Sequence, residues 1–129
     1  MFEVVVEGEF SAAHSLKLYD GTYEPRHGHV WRVAVTARSN ELDSMGVVVD
    51  FEALKPNLKR VLSEFHERSF NEHPEFGEGR VNPSTENIAK AIHDRLLKGW
   101  KATDARIVKV TVWETPDARA SYYPEGSAA

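Results

Sequence analysis

The segment FEVVVEGEFSAAH, residues 2–14, constrains the fold more than any other stretch of the chain. Phe2, Val4, Val6, Phe10, Ala12 and His14 fall at even positions, and Glu3, Glu7, Glu9 and Ser11 at odd ones. Successive side chains of a strand point to opposite faces, so this period of two predicts a long strand with one apolar and one wet face. His14 falls on the apolar side. Residues 15–26 are rich in turn formers, with Asp20-Gly21 and Pro25, and the alternation resumes from His27 to Arg38, placing His27, His29, Trp31, Val33 and Val35 on one face. The two segments predict a long antiparallel pair.

Helical spacing then takes over. In FEALKPNLKRVLSEF, residues 51–65, Phe51, Leu54, Leu58, Val61, Leu62 and Phe65 recur at helical intervals, with Asp50 placed to cap the start. Pro56 lies beyond the first turn, where proline is best tolerated, and predicts a late start or a kink. After a loop around 71–83 rich in Asn, Gly and Pro, Ser84 or Thr85 caps a second helix with Ile88, Ala91, Ile92 and Leu96 as its stripe, ended by Gly99. His93 lies off that stripe and is expected in solvent, while His73, in the loop before Pro74, is assigned no role. Residues 106–115 alternate again, and RASYY, 119–123, follows a Pro-Asp turn as a fourth strand. The order β-β-α-α-β-β predicts the α+β class, a four-stranded antiparallel sheet with both helices on one face. A single domain is expected over residues 1–124, with 125–129 as a loose tail.

Composition removes several function classes. With 16 basic against 20 acidic residues, a net charge of -4, the chain lacks the basic excess that nucleic-acid binding requires. No apolar run approaches the ~20 residues of a membrane span, and the start shows no basic and apolar leader, so a cytoplasmic location is expected. The chain contains no cysteine, which excludes a disulfide framework, a thiolate ligand and a thiol nucleophile. Any metal must therefore be held by His, Asp or Glu.

His27 and His29, at i and i+2 on a strand, project from one face with backbones roughly 6.5 to 7 Å apart, close enough for both rings to meet one ion. His14, near the end of the neighbouring strand, completes a three-histidine set. Three protein ligands leave a fourth position open, the arrangement of a catalytic zinc site, although copper and nickel take the same ligands. The same spacing also describes two ordinary surface or hydrogen-bonded histidines.

Taken in order, FSAAHSL (10–16), HGHVWRV (27–33), GVVVDFEALK (46–55), PSTENIAKAI (83–92) and VTVWET (110–115) resemble the 6-pyruvoyltetrahydropterin synthase and 6-carboxytetrahydropterin synthase family over nearly the whole chain. The resemblance implies the tunnelling fold, in which the sheets of three subunits close a barrel and two trimers stack into a homohexamer with active sites at subunit contacts. It implies a Zn2+ ion on His14, His27 and His29, and a pterin anchor at Glu114, whose carboxylate can accept the paired ring donors in a bidentate bond. It also implies ring contacts from Ser84 and Thr85, for which helix capping is an equally good explanation. Asp50 and Glu86 recur in the family's pattern too, and both suit a helix start.

The chain departs from the common branches at two places. Where they carry a catalytic Cys, four residues before the first His of HGH, this sequence has Tyr23, followed by Glu24. Glu-x-x-His-Gly-His resembles a variant branch in which glutamate replaces cysteine and the product is 6-hydroxymethyl-7,8-dihydropterin, a folate precursor. Where the family carries Asp-His, this sequence reads His66-Glu67, acid and imidazole in reversed order; the pair assists proton transfer in the common enzymes, and here is either a relay or a polar helix end. The expected activity is a zinc-dependent lyase acting on 7,8-dihydroneopterin or its triphosphate, with Glu24 as general base and acid. Arg26 and Lys17 are placed to meet a phosphate tail or simply water. The alternatives are a 6-carboxytetrahydropterin synthase of the queuosine route, a 6-pyruvoyltetrahydropterin synthase working without cysteine, and a pterin binder without turnover.

Overall fold

Both alternating segments are strands. In the computed structural model, which describes residues 1–102 and 104–125, β1 spans Phe2–His14 and β2 spans His27–Ser39. They pair antiparallel without a break, from Phe2 opposite Ser39 to His14 opposite His27. The even side chains Val6, Phe10, Ala12 and His14 are buried as the alternation requires, while Phe2, at the open end of the strand, stays 48% exposed. Of the expected loose tail, residues 126–129 lie outside the described residues.

Helix α1 spans Phe51–Ser63, with the Asp50 side chain accepting from the Glu52 N–H. Leu54, Leu58, Val61, Leu62 and, just past the helix, Phe65 are buried, whereas Phe51 at the first helical position is exposed. Pro56 does not delay the start. The carbonyl that its missing N–H would have engaged belongs to Glu52, an exposed residue, so water can satisfy it. Helix α2 spans Thr85–Leu97, and Ser84 caps it by accepting from the Asn87 N–H at 3.1 Å.

Strands β4, Arg106–Thr115, and β5, Ala118–Tyr122, follow as a hairpin. The four expected strands are joined by a fifth, because the two residues Arg68–Ser69 form β3 beside Ala12 and Ala13, parallel to β1. The sheet order is β3-β1-β2-β4-β5. Two residues are too few to carry a period, so β3 could not be read from alternation. It forms because the chain reverses after α1 through Glu67, at φ 58°, whose N–H donates to the Ser11 carbonyl at 2.6 Å.

Both helices cover the face of the sheet that carries Val6, Phe10, Trp31, Val33, Val35, Val110 and Val112, and one core joins these to Leu58, Leu62, Ile88, Ile92 and Leu96. Gly8 sits where α1 crosses β1; a Cβ there would lie 3.0 Å from Leu62 Cδ1. His93 is not in solvent. It is 5% exposed, its ring 5.0 Å from Tyr122 and its Nδ1 2.9 Å from Asp94 Oδ1, because β5 covers a second arc of α2 beside the apolar stripe. No helix among the described residues is long and apolar enough to cross a membrane.

Candidate metal centre

The antiparallel register sets His14 directly opposite His27, and His29 follows two residues along the same face of β2. The three rings pack edge to face, with centroids 4.6 Å apart for His14 and His27, 4.6 Å for His27 and His29, and 5.6 Å for His14 and His29. Trp31 forms the floor, its ring 4.8 Å from His14 and 5.5 Å from His29. The indole N–H donates to the Ala12 carbonyl at 3.0 Å, which leaves the apolar ring face for the histidines.

The outer nitrogens of two rings are fixed by carbonyls. His14 Nδ1 lies 2.8 Å from Pro83 O and His27 Nδ1 lies 3.0 Å from Pro25 O; a carbonyl only accepts, so each Nδ1 carries the hydrogen. With Nδ1 as the donor, each ring can offer its Nε2 as a ligand atom, and these two nitrogens face each other at 2.9 Å. Glu114 adds a carboxylate, with Oε1 2.7 Å from His14 Nε2 and 3.9 Å from His29 Nε2. His29 Nε2 is buried without a hydrogen-bond partner. Burial disfavours the His29 imidazolium and holds its pKa below the ordinary range, with Glu114 opposing and the other two rings adding to the depression. Imidazole nitrogens and a carboxylate oxygen gathered this closely form a donor set suited to a cation. The ligand atoms of His14, His27, His29 and Glu114 all lie within 4.8 Å of one another, so the donor set fits a metal ion held by nitrogen and oxygen.

Glu24 stands at the rim. Its Oε1 is 3.8 Å from His27 Nε2 and accepts the Leu16 N–H at 3.1 Å, which fixes the carboxylate's direction. Ser84 and Thr85 follow Pro83, whose carbonyl holds His14, so the start of α2 adjoins the centre. His66 and Glu67 are not brought into the cluster. His66 Nδ1 instead accepts from the Ser11 N–H at 3.1 Å, three residues along β1 from His14. Glu67 lines a cavity of about 860 Å³ that also takes in His29, Phe70 and His73. His73, left without a role by the sequence, pairs with Glu64 at 2.7 Å, and Arg95 joins Glu64 to Glu75 at 3.0 and 2.7 Å. One contributor and one placement escaped sequence reasoning. The Pro83 carbonyl has no residue signature, and Glu114, expected from the resemblance as a pterin anchor, lies among the histidines through the pairing of β2 with β4, which no local pattern reports.

Residues 3–125 match the family described as 6-pyruvoyl tetrahydropterin synthase, and the chain belongs to that family. It is 32% identical over 129 residues to the 6-carboxy-5,6,7,8-tetrahydropterin synthase of Bacillus subtilis (strain 168), covering 96% of this chain and 86% of that one. It is 30% identical over 111 residues to the dihydroneopterin monophosphate aldolase of Pyrococcus furiosus, covering 86% and 88%. The solved 6-pyruvoyl tetrahydropterin synthase of Caenorhabditis elegans superposes with a TM-score of 0.78 at 27% identity, covering 95% of this chain and 96% of that one.

Proposed function

We propose that the chain is a zinc-dependent lyase that cleaves the side chain of a 7,8-dihydroneopterin derivative to 6-hydroxymethyl-7,8-dihydropterin. The observation that carries this reading is the Glu24 carboxylate, aimed by the Leu16 N–H and 3.8 Å from His27 Nε2, in a chain with no cysteine. The Pyrococcus furiosus relative, named as an aldolase on a dihydroneopterin phosphate, gives the reaction class a precedent within the family.

His14, His27 and His29 would hold a zinc ion, which when bound would supply Lewis acidity toward the side-chain hydroxyls. With the three histidines as the metal ligands, Glu114 beside them turns its carboxylate to the paired donors of the pterin ring, and the α2 start at Ser84 and Thr85 borders it. Glu24 takes the proton of the C2′ hydroxyl as general base. The C2′–O bond becomes a carbonyl as the C1′–C2′ bond breaks, and the electron pair passes from C1′ into the conjugated ring. Glu24 returns its proton to C1′, completing the hydroxymethyl group and releasing a two-carbon aldehyde, phosphorylated where the substrate is. His66 and Glu67 are proposed as an auxiliary proton relay, with Glu67 the nearer to substrate because it shares the cavity with His29. The assembly proposed is a homohexamer with sites at subunit contacts.

The test is to incubate zinc-loaded protein with 7,8-dihydroneopterin and its mono- and triphosphate and to identify products by mass. Hydroxymethyl dihydropterin that falls at least about a hundredfold in Glu24→Ala supports the reading. A 6-carboxy product, the second reading favoured by the Bacillus subtilis relative, would sink it, as would a pyruvoyl product or substrate bound but unchanged.

A further inference from the structure

Between His14 and Glu24 the chain leaves β1, turns and comes back. Leu18 N–H donates to Thr22 O at 2.6 Å, and Glu24 N–H donates to Leu16 O at 3.0 Å. The Ser15 hydroxyl donates to Glu24 O in a short bond, and Leu16 N–H donates to Glu24 Oε1 at 3.1 Å. The backbone of Ser15–Leu16–Lys17 is therefore the template on which both the main chain and the carboxylate of Glu24 are set.

That template is gripped from the other side by two asparagines distant in sequence. Asn71 Oδ1 accepts the Ser15 N–H at 2.8 Å while its Nδ2 donates to the Ser15 carbonyl at 2.8 Å. Asn82 treats Lys17 identically, with bonds of 2.9 and 3.0 Å. In extended backbone, alternate residues direct their N–H and C=O groups to opposite sides. Residues 15 and 17 thus turn theirs to the asparagines, and Leu16 turns both of its groups to Glu24. A primary amide is the side chain that offers one donor face and one acceptor face together, as a neighbouring strand would. Each asparagine is itself seated: Asn71 in a single 3-10 turn, Phe70–Glu72, and Asn82 by its carbonyl, which accepts from Ser84 N–H and Asn87 Nδ2 at 2.8 and 2.9 Å.

We propose that Asn71 and Asn82 are positioning residues of the reaction, acting through the Ser15–Lys17 backbone to hold the Glu24 carboxylate beside the histidines. The proposal rests on the general-base role of Glu24. Both ends of each amide are engaged with the backbone of Ser15 or Lys17 and not with the histidines, so their loss should leave metal binding intact while misplacing the base.

The test uses Asn71→Asp, Asn82→Asp and Ser15→Ala in the zinc-loaded full chain, with the three dihydroneopterin substrates named above. The aspartates keep the size and the Oδ1 acceptor but set a second oxygen against a carbonyl. In each variant kcat per zinc-loaded, folded chain should fall at least about tenfold, with KM within about threefold of wild type and zinc content unchanged. Placed in a Glu24→Ala background, the same substitutions should cause no further loss, since they act on the group already removed. A purely structural role would lower the melting temperature and leave kcat per folded chain alone. Wild-type kcat in the two aspartate variants, with turnover lost in Glu24→Ala, overturns this proposal and spares the reading beneath it. Full turnover in Glu24→Ala overturns both. Should the aspartate variants not fold, Ser15→Ala, which severs the template from Glu24 O, decides: unchanged kcat there overturns the proposal.

Discussion

Two imidazole nitrogens at 2.9 Å, and a carboxylate oxygen 2.7 Å from one of them, are donor atoms that a shared cation would hold together. Removing one ligand should therefore act on metal retention before it acts on folding. His27→Ala, at a partly exposed position, is expected to reduce zinc from about one per chain to less than about a tenth under dialysis, measured by elemental analysis, with the circular dichroism spectrum kept. Undiminished zinc would contradict the three-histidine centre. At this scale the sequence was largely readable: the i, i+2 spacing put His27 and His29 on one face, and the even position of His14 put it on the buried side of β1. Glu114 was named only as the pterin anchor that the resemblance implies; its place among the histidines was not legible, because it depends on which strand lies next to β2. The asparagine clamps were hidden for a similar reason, each joining residues more than fifty positions apart.

The two helices are tied by side chains from one to the end of the other. Asn57 of α1 donates to the Leu96 carbonyl at 3.0 Å and Arg60 to the Arg95 carbonyl at 3.0 Å, each adding a second donor to a carbonyl that already accepts the Gly99 or Lys98 N–H at the end of α2. Gly99 is the space that lets Asn57 reach, since a Cβ there would meet the Asn57 side-chain oxygen at 2.4 Å. Gly99→Ala is expected to destabilise the fold by about 1–3 kcal/mol in urea unfolding, from overpacking and the displaced amide. The ion cluster at the other side of α2 adds a pH dependence. Burial raises the Glu64 pKa, but the hydrogen bonds from Arg95 and His73 outweigh it and leave the carboxyl below its ordinary value of 4.5. The folded state thus binds this proton less tightly than the unfolded chain, so the contribution is present above about pH 4.5 and fades as the pH falls through the folded value. Arg95→Leu should lose more stability at pH 7 than at pH 3, and an equal loss at both would show the cluster to be unimportant. Both helices were legible from their stripes and caps. Arg95 and His93 were not, because their partners come from outside the helix.

Across the whole molecule, the sheet has open sides. Among the described residues, β3 covers β1 only at Ala12 and Ala13, and β5 has no strand beyond it. Unpaired strand edges invite pairing with another chain, and Phe2 and Val5 on β1 are 48% and 45% exposed. The proposed homohexamer should appear in sedimentation as a species of about six chain masses; a monomer at all concentrations would count against it. The class and order of elements were legible because alternation and helical spacing are local, whereas β3 follows from a turn that no local pattern announces. That turn has a consequence for selection. A glutamate in the left-handed region costs on the order of 1 kcal/mol relative to glycine, and Glu67 holds this position at φ 58° beside the cavity that reaches His29. Libraries screened for heat resistance alone should converge on glycine at 67. Libraries screened for turnover should keep the acid only if its chemistry repays the strain, which makes the two screens together an assay of what that carboxylate is for.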